Sequence, residues 1–253
     1  MPPCWVNTPA EPRRSCVSDV SVSTFVRVTD QEFFDRLEPA QREIIADRSV
    51  TRRYRRGQKL FLEGDSASEF LIILTGQVKI TVASHDGREV LLEVRGKGEV
   101  IGEMALIDQA PRSASAFSLV TPTECLVMSV RSFRELVDTD PAFTRVLLTE
   151  MVHKVRGASF HQLELALDDV NGRVVRRLLE LDRRFGTGVE GAPIKSPITQ
   201  QELADWAGVS RQAVVKELRL LRDDGVLATK GSTITIHNRE ALVDRASRLA
   251  GLA

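Results

Sequence analysis

A stretch near the C-terminus constrains the fold most, because it places two helix starts and one tight turn at fixed spacing. Thr199 and Glu202 form a capping box that begins one helix, Gly208 makes a turn, and Ser210 caps a second helix. The core face of the second helix consists of Val214, Leu218 and Leu221. This agreement of caps, turn and core face predicts a helix-turn-helix; a solvated helical hairpin, the alternative, would not need that spacing.

The second helix presents hydrogen-bonding side chains outward. Together with Thr199 and Ser210, the candidates for DNA contact are Arg211, Gln212, Lys216 and Arg219. The Arg211 fork matches the two acceptors of guanine, and Gln212, with a donor and an acceptor, suits adenine. Lys216 could contact guanine or phosphate, whereas Arg219 suits phosphate. The alternative for Gln212 is that it faces solvent or the DNA backbone.

Two further patterns flank this motif. Residues 225–236 predict a two-stranded wing that turns at Lys230, Gly231 and Ser232. Residues 183–197 are rich in Gly and Pro, which predicts an exposed loop.

Residues 50–130 have a different pattern, with short apolar or alternating segments separated by glycine turns. A continuous apolar run at 70–74 predicts a buried strand, and the alternation of Val78, Ile80 and Val82 predicts a half-buried one. A hairpin turn is expected at 85–88. Short strands at regular spacing predict a β-barrel or β-roll. Two short helices are expected before it, at 30–37 and 39–47.

Within this β-rich segment, residues 102–115 have the chemistry to hold a phosphorylated ribose. Gly102 allows close backbone approach, Glu103 can accept from a ribose hydroxyl, and Arg112 offers a planar donor fork. A helical turn over 103–107, which includes Met104, would aim N–H groups at an anion, and Ser113 and Ala114 follow the arginine. The alternative is a surface loop with a structural Glu–Arg pair.

A long helix is predicted over 142–167, after the helix-starting Asp140 and Pro141. Its apolar positions follow a heptad-like seam of Leu147, Met151, Val155, Ala158, Gln162 and Leu165. Such a seam predicts a two-chain coiled coil, and the alternative is a helix packed on its own domain.

Composition bounds the remaining possibilities. The 253 residues suffice for about two domains, and 35 Lys and Arg balance 35 Asp and Glu. Residues 170–253 carry 14 basic against 10 acidic residues, a net charge of +4, which leaves −4 elsewhere. That basic part is compatible with nucleic-acid binding.

No apolar run approaches the ~18–20 residues of a membrane span, and no secretory signal is present, so we expect a cytoplasmic protein without membrane contact.

Reactive residues do not form a catalytic pattern. Cys4, Cys16 and Cys125 are too scattered for a disulfide framework or a metal cluster, and Cys125 lies in an apolar strand, where we expect it in the core. Nucleophile–base pairs, metal-ligand clusters and Walker loops are missing from the sequence. We therefore expect neither an enzyme nor a metal cofactor. Residues 1–28 contain four prolines and have no hydrophobic period, which predicts a disordered tail; the alternative is that the true start lies downstream.

The stretch at 102–115 resembles the phosphate-binding cassette of cyclic-nucleotide-binding domains. With the helix-turn-helix in the expected order and separation, residues 29–242 resemble the Crp/Fnr family of bacterial transcriptional regulators. The resemblance implies an α+β chain of three parts: a cyclic-nucleotide-binding-type β-roll sensor at 29–140, a dimerisation helix at 141–168 and a winged helix-turn-helix at 169–253. Its implied partners are a second copy, double-stranded DNA with a palindromic operator, and RNA polymerase.

The resemblance also implies a mechanism and an effector. A cyclic nucleotide, with cyclic AMP as the first candidate, would contact both the cassette and the long helix. It would favour one arrangement of the helices, in which the two recognition helices lie about one DNA turn (~34 Å) apart.

Two positions depart from the family. Ala158 and Ser159 stand where cyclic AMP-responsive members have two hydroxyl residues, which puts the effector in doubt. Gln212 replaces the usual Glu, which puts the operator in doubt. Two other functions remain open: a signalling module that contacts protein, and a constitutive DNA binder with a vestigial pocket.

Overall fold

The computed structural model describes residues 32–84, 87–186, 189, 191–231 and 233–249. These belong to one unit, Gln31–Ala253. The predicted tail with Cys4 and Cys16, the hairpin residues His85 and Asp86, and Ser232 of the wing lie outside the described residues. Within the described segments, none of the helices has both the length and the apolar character needed to cross a membrane.

The helices begin with one turn of 3-10 helix, Phe33–Arg36, followed by α-helices. These are α1 (Pro39–Asp47), α2 (Met104–Ile107), α3 (Val130–Thr139), α4 (Pro141–Leu167), α5 (Val170–Phe185), α6 (Gln200–Ala207), α7 (Arg211–Asp223) and α8 (Arg239–Leu249). The strands are β1 (Ser49–Tyr54), β2 (Lys59–Phe61), β3 (Glu69–Thr75), β4 (Val78–Ala83), β5 (Glu89–Arg95), β6 (Val100–Ile101), β7 (Ser115–Ser118), β8 (Thr123–Ser129), β9 (Pro193–Lys195), β10 (Leu227–Lys230) and β11 (Thr233–Ile236).

The described strands of the N-terminal half form two antiparallel four-stranded sheets, ordered β1-β8-β3-β6 and β2-β7-β4-β5. Strand β3 is buried on both faces, which explains its continuous apolar run. Leu71 and Ile73 pack between the two sheets with Cys125, which is fully buried as expected. Phe70 and Ile72 point the other way, into a core formed with the 3-10 helix and α4. The predicted β-roll is therefore confirmed.

Helix α4 packs on the sensor along its first half, and this corrects part of the predicted two-chain seam. Leu147 is buried in the sensor's own core beside Phe33 and Phe143, and Met151 packs against the same cluster. The exposed apolar row is instead Leu148, Val152 and Val155. The heptad pattern assigned Leu147 and Met151 to the seam because one helix carries two apolar rows, of which the sensor covers one; Val155, also predicted in the seam, is exposed.

The C-terminal half is a helical domain with a small sheet. The described strands there are ordered β10-β11-β9, so that β9 adds a third strand to the predicted two-stranded wing. This corrects the exposed loop expected over 183–197, because α5 extends to Phe185 and Ile194 is buried. Pro193 is compatible with β9 because an edge strand leaves one row of N–H groups unpaired.

Sensor and C-terminal domain share an apolar cluster. Leu91 and Val94 of β5, with Leu119, pack into the core that contains Trp206 and Ala207 of α6. The first helix of the helix-turn-helix is thus docked on the β-roll.

Candidate effector and nucleic-acid sites

The cassette begins where β6 ends. Gly102 has φ +83°, in the left-handed region, and a Cβ there would lie 2.3 Å from Nη1 of Arg112. The left-handed backbone conformation therefore favours glycine, and a Cβ would also force the guanidinium of Arg112 to move. The short helix α2 follows immediately after Glu103, as expected for a helical turn here.

Glu103 is joined to the long helix. Its side chain is buried, and Lys154 of α4 donates from Nζ to Oε1 at 2.7 Å and to the backbone oxygen of Val100 at 3.2 Å. The other carboxylate oxygen, Oε2, is buried and has no hydrogen-bond partner among the described residues. A buried acceptor without a donor is costly, so this oxygen is suited to a hydroxyl group supplied by a ligand.

Arg112 is only 4% exposed. Its Nη1 donates to the backbone oxygen of Gly102, its Nη2 donates to that of Glu69, and the guanidinium lies 4.3 Å from the centre of the Phe61 ring. Burial lowers the pKa of Arg112 from its ordinary value. Its Nε is buried and lacks a partner among the described residues. The planar fork predicted to hold phosphate is therefore occupied by backbone carbonyls in this structure.

The other predicted ligand residues belong to the cassette and to α4. Met104 and Ser113 are exposed, Ala114 is buried, and Ala158 and Ser159 lie exposed on α4, one turn beyond Lys154. Sequence reasoning missed Lys154 and Phe61. Lys154 could have been found, because residues i and i+4 share a helix face and Ala158 was already assigned to the pocket.

The helix-turn-helix has the predicted construction. The Thr199 hydroxyl accepts from the Glu202 N–H in a reciprocal capping box, and Gly208 has φ +62° at the turn. The Ser210 hydroxyl accepts from the N–H of Ala213, and Val214, Leu218 and Leu221 are buried. Helix α7 is thereby fixed on α6 through one face, and its other face is free.

That free face carries the predicted DNA-contacting side chains. Arg211, Gln212, Lys216 and Arg219 are exposed and, with Val215, line one shallow depression along α7. Arg219 is also 3.7 Å from Asp223 in an exposed ion pair. A helix with exposed donors on a single face is the geometry that enters the major groove of DNA.

A buried ionic cluster links the two domains beside the cassette. Glu99, which directly precedes β6, accepts from Arg95 at 2.8 Å and from Arg184 of α5 at 2.7 Å. Burial alone would raise the pKa of Glu99, but the Arg184 and Arg95 guanidiniums hold it below its ordinary value. A second link joins Lys79 of β4 to Glu202 of α6 at 3.0 Å.

Comparison with known proteins identifies both domains. Residues 51–140 match the cyclic nucleotide-binding domain model, and residues 172–245 match that of the Crp-like helix-turn-helix domain. The CRP-like cAMP-activated global transcriptional regulator of Mycobacterium tuberculosis is 33% identical over 76% of this chain and 85% of that protein. The chain belongs to the Crp/Fnr family.

Solved structures agree with this assignment. The c-di-GMP responsive global regulator CLP of Xanthomonas campestris is 28% identical, with a TM-score of 0.66 over 79% of this chain and 99% of that one. FixK2 of Bradyrhizobium japonicum, 24% identical, has a TM-score of 0.69 over 81% of this chain and 98% of that one, and shows the shared fold. The protein is a Crp-like transcriptional regulator with a cyclic-nucleotide-binding domain and a DNA-binding helix-turn-helix, which disfavours a module that contacts only protein.

Proposed function

We propose that the protein is an effector-responsive regulator that binds a palindromic operator as a homodimer and contacts RNA polymerase there. The observation that carries the DNA-binding part is α7, whose exposed face holds Arg211, Gln212 and Lys216 while its other face is locked into the domain core. Members of the family are regulators, and the proposal requires no catalytic step.

For the effector, we propose a cyclic nucleotide held between the cassette and α4. The pocket contains one buried acceptor and one buried donor without partners among the described residues, Oε2 of Glu103 and Nε of Arg112. A ribose hydroxyl and a phosphate oxygen are complementary to them. Lys154 would then report ligand binding to α4, because it already bonds Glu103 and the Val100 carbonyl.

Cyclic AMP is the first candidate, because the M. tuberculosis relative is described as cAMP-activated. The Xanthomonas relative is described as responsive to c-di-GMP, and here Ala158 removes one of the two hydroxyls expected for adenine. Titration calorimetry of the purified protein with cyclic AMP, cyclic GMP and c-di-GMP separates these candidates. If none of the three binds at millimolar concentration, the cyclic-nucleotide proposal is wrong.

One observation favours a second candidate, a constitutive DNA binder whose pocket is vestigial. Both terminal nitrogens of the Arg112 guanidinium already donate hydrogen bonds to backbone carbonyls. A phosphate must therefore displace at least one of these carbonyls or bind through the remaining N–H. This candidate predicts equal DNA affinity with and without every cyclic nucleotide.

Homodimerisation is proposed through α4. Leu148, Val152 and Val155 are exposed and follow each other at steps of four and three residues, the spacing of a two-helix seam. The partner helix would cover this row, which lies beside the face that α4 buries against the sensor core.

Selection of binding sites from random DNA tests the DNA-binding proposal. We expect the wild type to select a palindrome, and Arg211→Ala to lose a guanine preference worth ~1–3 kcal/mol. Gln212→Glu, which removes the amide donor, should exchange adenine for cytosine at one step of each half-site. If wild type and Gln212→Glu select the same base at every position, Gln212 does not read sequence.

A further inference from the structure

A group of buried charged side chains joins the sensor to the DNA-binding domain. Glu99 accepts from Nη1 of Arg95 at 2.8 Å and from Nη1 of Arg184 at 2.7 Å, and the three side chains are 6%, 13% and 12% exposed. Arg95 also donates to Glu93 at 2.7 Å, and Arg184 donates to Glu180 at 2.5 Å. We call these five residues the interdomain cluster. Because a buried charge is costly without its partner, the cluster favours one relative position of the two domains.

On the sensor side, the interdomain cluster is connected to the cassette through β6. Glu99 directly precedes this strand, and Gly102 and Glu103 follow it. The N–H of Ile73 donates to the backbone oxygen of Glu99 at 3.0 Å, which fixes the start of the strand. Burial alone would lower the pKa of Arg95, but nearby carboxylates, Glu103 among them, raise it. A ligand that moves Glu103 therefore also perturbs the interdomain cluster.

On the side of the DNA-binding domain, the interdomain cluster holds the end of α5. Arg184 is the penultimate residue of this helix, whose buried Leu181 packs into the same core as Leu218 of α7. At its other end, α5 follows α4 and is bound to it by the ion pair between Asp168 and Arg176. The junction with α4 and the bond at Arg184 lie roughly 20 Å apart along the helix, and together they fix its direction.

We propose that the bond between Glu99 and Arg184 is a coupling contact, through which effector binding changes the orientation of the helix-turn-helix in addition to any change in α4. The bond exists in the arrangement in which backbone carbonyls occupy the Arg112 fork, and a phosphate that engages this fork must displace a carbonyl. The bond therefore stabilises the arrangement that has the lower effector affinity. The inference rests on the proposed effector site and assigns Arg184 a positioning role in its regulation.

Removing the bond from either side tests the coupling. Arg184→Gln and Glu99→Gln are compared with wild type by calorimetric titration with cyclic AMP, cyclic GMP and c-di-GMP, and by binding of a selected operator with and without each nucleotide. Both variants should bind the nucleotide more tightly, because the arrangement of lower affinity has lost a stabilising bond. By linkage, the factor by which the nucleotide changes operator affinity should move toward one. We expect changes of roughly two- to thirtyfold, the range for single residues that carry coupling.

Two comparisons identify the route of the coupling. Arg183→Gln removes the same charge from the preceding residue, which is half exposed and pairs with Glu180, and it should leave both quantities unchanged. The double variant Arg184→Gln/Glu99→Gln should behave like Glu99→Gln alone, because the ion pair is already lost in that background. Circular dichroism at the titration temperature checks that each variant is folded.

The outcomes are distinct. Nucleotide affinity and operator response equal to wild type in both single variants, or weaker nucleotide binding, overturn the inference and leave the proposed regulator intact. An equal change in Arg183→Gln, or an effect of Arg184→Gln that is the same with and without Glu99→Gln, also overturns it, since the effect would then come from total charge or from another contact. If the wild type binds none of the three nucleotides, or if none changes operator affinity, the proposed effector response fails and the inference fails with it.

Discussion

Arg112 joins parts of the sensor that are far apart in the sequence. It bonds the backbone oxygens of Gly102 and Glu69 while stacking on Phe61, so it links the cassette to the start of β3. Removing the guanidinium would leave two carbonyls without donors, and a buried unpaired acceptor costs ~1–3 kcal/mol. Without a bound ligand, Arg112 therefore stabilises the fold.

We therefore predict that Arg112→Leu lowers the free energy of unfolding by roughly 1–3 kcal/mol in the absence of any nucleotide. Urea unfolding followed by circular dichroism measures this. Arg131→Leu is the matched control, because that side chain is 88% exposed and its removal should change stability by no more than about 0.5 kcal/mol. Equal midpoints for wild type and Arg112→Leu would show that the two carbonyl bonds contribute nothing.

Helix α4 connects three parts of the molecule. One face packs into the sensor core through Phe143 and Leu147, and Lys154 reaches the cassette. At its C-terminal end, Glu164 and Asp168 are buried in ion pairs with Arg176 and Arg177 of α5. The remaining apolar row is free to pair with a second chain.

On this basis we predict that Val155→Asp converts a dimer into a folded monomer, because pairing would bury two like charges without partners. Val155 is 66% exposed in the single chain, so the substitution should not unfold it. Sedimentation measures the mass, and circular dichroism checks the helix content. Val50→Asp makes the same change at an exposed valine of β1 and should remain dimeric. A dimeric Val155→Asp would place the seam elsewhere.

At the scale of the whole molecule, Arg184 connects the DNA-binding domain to the sensor through an ion pair. It bonds Glu99 of the sensor at 2.7 Å and Glu180 of its own helix at 2.5 Å. Burial alone would raise the pKa of Glu180, but Arg184 and Arg183 lower it to about 2, from an ordinary value of 4.5. A depressed carboxylate pKa contributes stability that is present above the ordinary value and is lost as the pH falls toward the folded value.

We expect Glu180→Gln to be less stable than wild type at about pH 7, with a gap that narrows as the pH falls from about 4.5 toward 2. Thermal unfolding across this range measures the gap. Glu135→Gln, which removes an exposed carboxylate paired only on the surface, should show little difference from wild type at neutral pH. A gap for Glu180→Gln that stays constant down to about pH 2 would contradict the assigned cause.

The sequence alone determined the elements whose signals are local. The caps, the turn glycine and the helical core face all lie in one continuous stretch, from Thr199 to Leu221, so the sequence predicts the helix-turn-helix from local signals. Strand alternation likewise predicted the β-roll, because side chains on a strand alternate between its two faces. Glu103 and Arg112 were found through the chemistry of their side chains.

Only the tertiary structure decided which partners those side chains meet. The sequence could not show that Arg112 donates hydrogen bonds to the carbonyls of Gly102 and Glu69, nor that Lys154 donates one to Glu103. These bonds join residues that are 10 to 51 positions apart in the chain. Leu147 and Leu148 are equally apolar, and packing against Phe33 and Phe143 decides which one is covered. The links from Arg184 to Glu99 and from Arg56 to Pro197 exist only because the two domains are docked, and such docking depends on surfaces that no local pattern encodes.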